Sequence, residues 1–285
     1  MDTEGNGDEG YYNRYGERIK QGNLHKSLYE TFLEQNSGKD FTKLHELMVY
    51  DGTIQTAIQD LRQKLRTPDT ADNIQGIALL PPILVRGVID YLVSNPQSRR
   101  VQSVQQALAI GLAAYSRDYP TALSLLDQYK RQLPETALNA DVHQPDDIAT
   151  WIGTEPRHSY RKAMDLAFQF PQKPLLLIGL GQGSTAAAMD VYLRHADITE
   201  SQDSRLYVVR FSRNKKKDEA PRINEEEIKY LQETATGRQI VLFDEDSVTA
   251  RTLQQGTDFF RRNVFPTQNV YPTNNFKGSS SADVY

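Results

Sequence analysis

The stretch Ile240-Val241-Leu242-Phe243-Asp244-Glu245-Asp246-Ser247-Val248-Thr249-Ala250-Arg251-Thr252-Leu253 sets four apolar residues directly before three acids and a hydroxyl-rich turn. An apolar run this short, bounded by charge, reads as a buried strand. A strand that ends in carboxylates delivers them to whatever lies beyond the sheet. They can hold sugar hydroxyls or a hydrated cation, while a loop that opens the next helix offers backbone N–H groups to a phosphate. A helix is expected at once, over Thr252 to Arg262.

The pattern extends upstream. Leu175 to Ile178 is a second short apolar run, between Pro174 and Gly179, and Ala186 to His195 has helical composition. Leu206 to Phe211 is β-like, Glu225 to Thr234 is helical, and a weak last strand is expected near Asn269 to Tyr271. Strand alternating with helix predicts an α/β fold with a parallel sheet and crossover helices. Before it, from Tyr11 to Leu133, apolar residues recur at three and four, as in Ile54, Ile58, Leu61 and Leu65 or Val88, Ile89 and Leu92. That region reads as all-helical, with Val104 to Tyr115 and Tyr119 to Leu133 as a hairpin turning at Ser116 to Asp118. Polar Leu138 to Asp147 reads as a linker. The expected organisation is an acidic tail over 1–10, a helical domain over 11–137, an α/β domain over 145–276 and a Ser-rich tail over 277–285.

With 38% hydrophobic and 25% charged residues the composition is that of a globular protein, and a net charge of −4 gives no general attraction to nucleic acid or anionic membrane. There are no cysteines, which excludes disulfides, thiolate nucleophiles and Cys-based zinc sites and leans toward a reducing compartment. Residues 1 to 10 lack the basic and apolar character of a signal peptide, and no apolar run stands out as a membrane span. A cytoplasmic protein without a membrane partner is expected. The five histidines, His25, His45, His143, His158 and His195, show no metal-ligand spacing. No Gly-x-Ser-x-Gly elbow or Walker loop is present.

Two further segments carry chemistry. Gly179-Leu180-Gly181-Gln182-Gly183-Ser184-Thr185 follows the first strand and opens a helix, so its backbone can approach an anion closely. It is open to three readings: a tight strand-to-helix turn, a dinucleotide-binding loop with Ser184 at the third glycine position, or a diphosphate loop. Between it and the acidic strand, Arg210 to Arg222 holds six cations in thirteen positions, including Arg213, Lys215, Lys216 and Lys217. Such a segment is either a solvated loop or a cationic lid that excludes water on closing. Nucleic acid is a weaker partner for it, because no aromatic platform or recognition helix accompanies the cations.

Taken together, the acidic strand end, the following threonines and the preceding glycine loop resemble type I phosphoribosyltransferases, over residues 145–276 only. The resemblance implies a parallel sheet of that family's kind and a ligand, phosphoribosyl diphosphate (PRPP) or a related phosphorylated ribose, bound with Mg²⁺. It implies that Asp244 and Glu245 bind the ribose hydroxyls and contact the metal indirectly, and that Thr249, Ala250, Arg251 and Thr252 cradle the 5′-phosphate. Gly181, Gln182, Gly183 and Ser184 would hold the diphosphate. Arg213, Lys215, Lys216 and Lys217 would close over it, with Lys216 counted among the catalytic groups beside Asp244 and Glu245. Trp151, Arg157, His158 and Tyr160 fall where that family often builds its base-binding hood.

Two positions depart from the pattern. Ala250 stands where the family has glycine, adding a Cβ where backbone approaches phosphate. Val248 replaces the catalytic Asp of 6-oxopurine-specific members, which disfavours hypoxanthine or guanine. The expected activity is transfer of a 5-phosphoribosyl group to a base or other nitrogen nucleophile with release of diphosphate. The first rival is an inactive sensor of PRPP or nucleotide that signals to a protein partner through the helical half. The second is an NADP-binding Rossmann domain, in which Arg210 and Arg213 would meet the 2′-phosphate. A homo-oligomer is compatible with each.

Overall fold

The structure, a computed structural model, describes residues 28–36, 46–96, 100–145, 147–181, 183–212, 217–246 and 251–276. Helices α1 (Leu28–Gln35), α2 (Ile54–Arg66), α3 (Ala71–Ser94), α4 (Arg100–Tyr115), α5 (Tyr119–Gln132) and α6 (Glu135–Leu138) precede the sheet half. Between and after them lie strands β1 (Tyr50–Thr53) and β2 (Asp141–Gln144). There follow α7 (Ile148–Gly153), α8 (Pro156–Gln169), β3 (Leu175–Leu180), α9 (Ser184–Thr199), β4 (Arg205–Val209), α10 (Glu225–Thr234), β5 (Gln239–Asp246), α11 (Arg251–Asn263) and β6 (Val270–Phe276).

The α/β expectation holds at the level of a four-stranded parallel sheet, ordered β4-β3-β5-β6. Every residue of β3 is buried, as a strand covered on both faces requires, which is why it reads as an uninterrupted apolar run. The pleat assigns the helices to the two faces. A Cβ added at Gly179 would meet Ala188 of α9, whereas one added at Gly256 of α11 would meet Leu180 and Leu242. On β5, Val241, Phe243 and Glu245 therefore share the α9 face, and Leu242 and Asp244 share the α11 face.

The region before the sheet is not all-helical. Strands β1 and β2 pair antiparallel, Tyr50 opposite Gln144 and Thr53 opposite Asp141. Neither has an apolar strand signature. Thr53 owes its extended backbone to its place as N-cap of α2, where it forms a reciprocal capping box with Thr56. Val142 of β2 is buried against α3 at Gly87, where a Cβ would lie 2.5 Å from the valine methyl. The segment expected to be a linker is thus tied down by strand pairing and by packing on α3.

By length and hydropathy α3 could cross a membrane, a property the reading of the sequence missed, but most of its apolar stretch is buried inside the fold. It is a core helix with two prolines in mid-course, Pro81 and Pro82. Pro82 has no N–H for the carbonyl of Ala78, and the buried Tyr115 hydroxyl of α4 donates to that carbonyl instead, at 2.7 Å. The helical hairpin α4–α5 turns at Arg117, whose φ is +62°. Buried side chains of α2 to α5 and of β3 to β5 belong to one continuous apolar cluster.

Candidate functional site

In the order β4-β3-β5-β6, the chain leaves β3 toward β4 and then returns to the other side of β3 as β5. Between β3 and β5 the strand order reverses, and in open parallel sheets the crevice outside the carboxyl ends at such a point is where ligands bind. The Gly181 to Ser184 turn leaves β3 there, and Asp244 to Asp246 end β5 there.

The two segments touch. Glu245 lies on the α9 face, and its Oε1 rests against Gly183 so closely that a Cβ at Gly183 would collide with it. Gly183 precedes the first turn of α9, so the carboxylate sits at the positive end of that helix. From the other side, Gly153 of α7 packs on the Glu245 backbone, where a Cβ would lie 2.7 Å from the Glu245 carbonyl oxygen. Gly181 has φ +78°, and its Cα hydrogens face the Phe211 carbonyl, which a Cβ would approach to 2.6 Å. Glycine is required at 181 for the turn and at 183 for the carboxylate.

Helix α7 adds a group that the sequence reading passed over. Asp147 is its N-cap and accepts from the Thr150 backbone N–H at 3.1 Å. The Thr150 hydroxyl lies 2.7 Å from Asp147 Oδ2 and 3.1 Å from Glu245 Oε1. One hydroxyl proton can be donated to only one of these two carboxylates. The other oxygen of Glu245, Oε2, is buried with no hydrogen-bond partner. Among the described residues, Glu245 meets no cation. Asp244, on the opposite face, is buried and accepts the Glu245 backbone N–H at 3.1 Å.

The helical half roofs this crevice. A cleft with about 260 Å³ of empty space, part of it open to solvent, is lined by Met48, by Leu79, Pro82, Ile83 and Arg86 of α3, and by Thr150, Gly183 and Ala186. Arg86 is buried, with its Nε donating to the Pro82 carbonyl at 3.2 Å. The Asp-x-x-Thr start of α7 was the sequence signal for Asp147 and Thr150. Nothing local in the sequence distinguishes Arg86.

The remaining expected site residues are distributed as follows. Ser184 is fully buried, its Oγ near Gly179 rather than at the surface of the turn. Arg251 is exposed and Thr252 half-buried at the start of α11, and Lys217 is exposed with φ +53°. Gln182, Arg213, Lys215, Lys216, Val248, Thr249, Ala250 and both tails lie outside the described residues, as do His25 and His45. Of the hood candidates, Trp151 packs edge-on against Phe32 and Arg157 pairs with Glu155. His158 lies 3.6 Å from Glu155, and Tyr160 lies under the Arg194 guanidinium. These are packing and pairing roles. Among the described residues, no group of three or more His, Asp or Glu is placed to hold a metal ion.

A second buried polar cluster lies along α9. Arg194 bridges Asp190 at 3.0 Å and Glu30 of α1 at 3.0 Å. Burial pushes the Asp190 carboxyl up to about 6 despite Arg194 beside it. Burial also pushes His195 down to about 4, and neither of its ring nitrogens has a partner. Asn275 of β6 donates to the Ser159 hydroxyl at 3.0 Å and to the Gly153 carbonyl at 2.9 Å, linking α7, α8 and the last strand.

No family model, curated protein or solved structure matches the chain.

Proposed function

We propose that the chain binds PRPP in the crevice between β3 and β5 and transfers its 5-phosphoribosyl group to a nitrogen nucleophile. The observation that carries this reading is the meeting of Glu245 with the Gly183 turn at the point where strand order reverses, with one buried carboxylate oxygen left unpartnered. A buried carboxylate oxygen with no donor is costly, and such a cost is borne at sites that a ligand completes. Ribose hydroxyls are donors of the required kind.

In the reaction, the lone pair of the nitrogen forms a bond to the anomeric carbon as the bond from that carbon to the diphosphate oxygen breaks. The electron pair leaves with diphosphate, and the nitrogen's proton passes to solvent. Asp244 and Glu245 orient the ribose, and the Gly181 to Ser184 turn and α9's first N–H groups receive diphosphate. Thr249 to Thr252 hold the 5′-phosphate, and Arg213 and Lys215 to Lys217 neutralise the departing charge. The unpartnered Glu245 oxygen also fits an outer-shell role toward Mg²⁺, which would be held chiefly by the ligand and would supply charge neutralisation.

Isothermal titration with PRPP and Mg²⁺, followed by assay of diphosphate release over a panel of nitrogen heterocycles, tests the reading. Saturable binding with release on adding one of the heterocycles is expected. Absence of PRPP binding overturns the proposal, and binding without release transfers it to the sensor reading. That second reading is favoured by the roof of the crevice, since a ligand there would touch α3 directly. The NADP reading is disfavoured because Arg210 is held by Asp218 at 3.0 and 3.1 Å and by Asp90 at 3.4 Å.

A further inference from the structure

Arg86 is a buried cation at the roof of a cleft whose other walls are mostly hydrocarbon. Five of the lining side chains, Met48, Leu79, Pro82, Ile83 and Ala186, are apolar. A second cleft of about 220 Å³ of empty space meets the first at Ile83 and Arg86 and continues toward Gln144 and Asp90. Diphosphate or ribose would lose hydration against such walls without replacement hydrogen bonds. A flat aromatic ring would not. The guanidinium in turn asks for an anion of planar, two-oxygen geometry, which a carboxylate supplies in the bidentate manner that distinguishes Arg from Lys. The other end of the cleft, at Thr150 and Gly183, adjoins Glu245, where the ribose is placed by the reading above.

We infer that this cleft is the acceptor site, that Arg86 is its specificity-determining residue, and that the acceptor is a single-ring nitrogen heterocycle bearing a carboxylate. The carboxylate lies on Arg86, the ring lies between α3 and α9, and the ring nitrogen faces the crevice. Neutral analogues bind the walls but leave the buried guanidinium without its anion, a mismatch of the kind that gives strong discrimination. The helical half thereby has a chemical role. As a transfer acceptor this molecule rests on the proposed reaction; as a ligand of the cleft it does not.

The two are separated by measuring them apart. Pyridine-3-carboxylate and pyrimidine-4-carboxylate, each against its own carboxamide, are titrated into wild type, R86Q and R86K, and ribose 5-phosphate is titrated in parallel. Expected is at least one carboxylate that binds wild type about tenfold or more tighter than its amide. That preference is expected to fall to within about twofold in R86Q and to survive in part in R86K, with ribose 5-phosphate affinity unchanged in both. The inference is overturned if neither carboxylate outbinds its amide in wild type, or if the preference persists in R86Q. Should R86Q not fold, I83F, which fills the cleft and keeps Arg86, decides: loss of carboxylate binding supports the assignment and its retention overturns it. Failure of ribose 5-phosphate to bind, with carboxylate selectivity intact, would sink the transferase reading and leave the cleft assigned.

Discussion

Two places in this fold bring acids out of water, and they treat them differently. Along α9, Asp190 and Glu30 flank the Arg194 guanidinium, and the charges are matched within the protein. At the carboxyl end of β5, Glu245 has only the Thr150 hydroxyl, which Asp147 shares, and one of its oxygens has no donor. Matched charge locks helices together and removing it should cost stability. Unmatched charge at a crevice is a cost the fold sustains for a ligand, and removing it should cost function. The same residue type thus has opposite consequences at two positions in one molecule.

The largest expected effect comes from D190A. It leaves Arg194, 3% exposed, with only the half-buried Glu30 as partner, and should destabilise the protein by about 3–5 kcal/mol in chemical denaturation. Ribose 5-phosphate affinity under native conditions should stay within about twofold; a large loss of affinity with little loss of stability would erase the distinction between the clusters.

The two glycines of the turn sharpen it. G181A places a Cβ at φ +78° and against the Phe211 carbonyl, and should cost about 2 kcal/mol or more. G183A meets the Glu245 carboxylate, the free end of a flexible side chain, at φ −75° and ψ −40°. Its stability cost should be about 1 kcal/mol, while displacement of Glu245 should weaken ribose 5-phosphate binding about tenfold or more. Equal stability costs for the two would show that Glu245 is a packing group.

The smallest effect is one of pH. Asp190 keeps its proton in the folded state up to about 6, against 3.8 unfolded, so its contribution to stability falls as pH rises from about 4 to 6. His195 is the reverse. Its folded value of about 4 lies below the unfolded 6.5, so the unfolded state holds more protons and stability rises over pH 4 to 6.5. The two slopes oppose each other in wild type. H195L removes one of them and two unpartnered nitrogens, so its stability relative to wild type should be greatest near pH 4 and level off above 6.5. Urea midpoints across that range check this, and a relative stability independent of pH would refute the burial of a neutral His195.

The sheet half was legible in the sequence because its elements announce themselves locally. The apolar runs at Leu175 and Ile240 and the capped helix from Glu225 to Thr234 are where they were expected. What was not legible depends on contacts across the chain. Strand β2 exists because Val142 fits over Gly87 and because β1 needs a partner, 91 residues away between Thr53 and its α2 cap and the pairing register at Asp141 to Gln144 being set by neither segment alone. Helix α3 is apolar on nearly every side, so periodicity marked only its last turns, and Arg86 looked like one surface cation among many. At the site, the acids and the glycine turn were readable as a pair. That the pleat would send Glu245 to α9 and Asp244 to α11 followed from the face assignments, and the Thr150 contact from a segment that reads as a linker.

The most direct test is E245Q, measured for stability and for ribose 5-phosphate binding in the same preparation. Glutamine keeps the shape of the side chain and removes the buried charge. The expected result is stability equal to wild type or higher by up to about 1 kcal/mol, with affinity for ribose 5-phosphate reduced about tenfold or more. A protein destabilised by about 2 kcal/mol or more that still binds ribose 5-phosphate as wild type does would mean that Glu245 holds the fold together and that the crevice is not a ligand site.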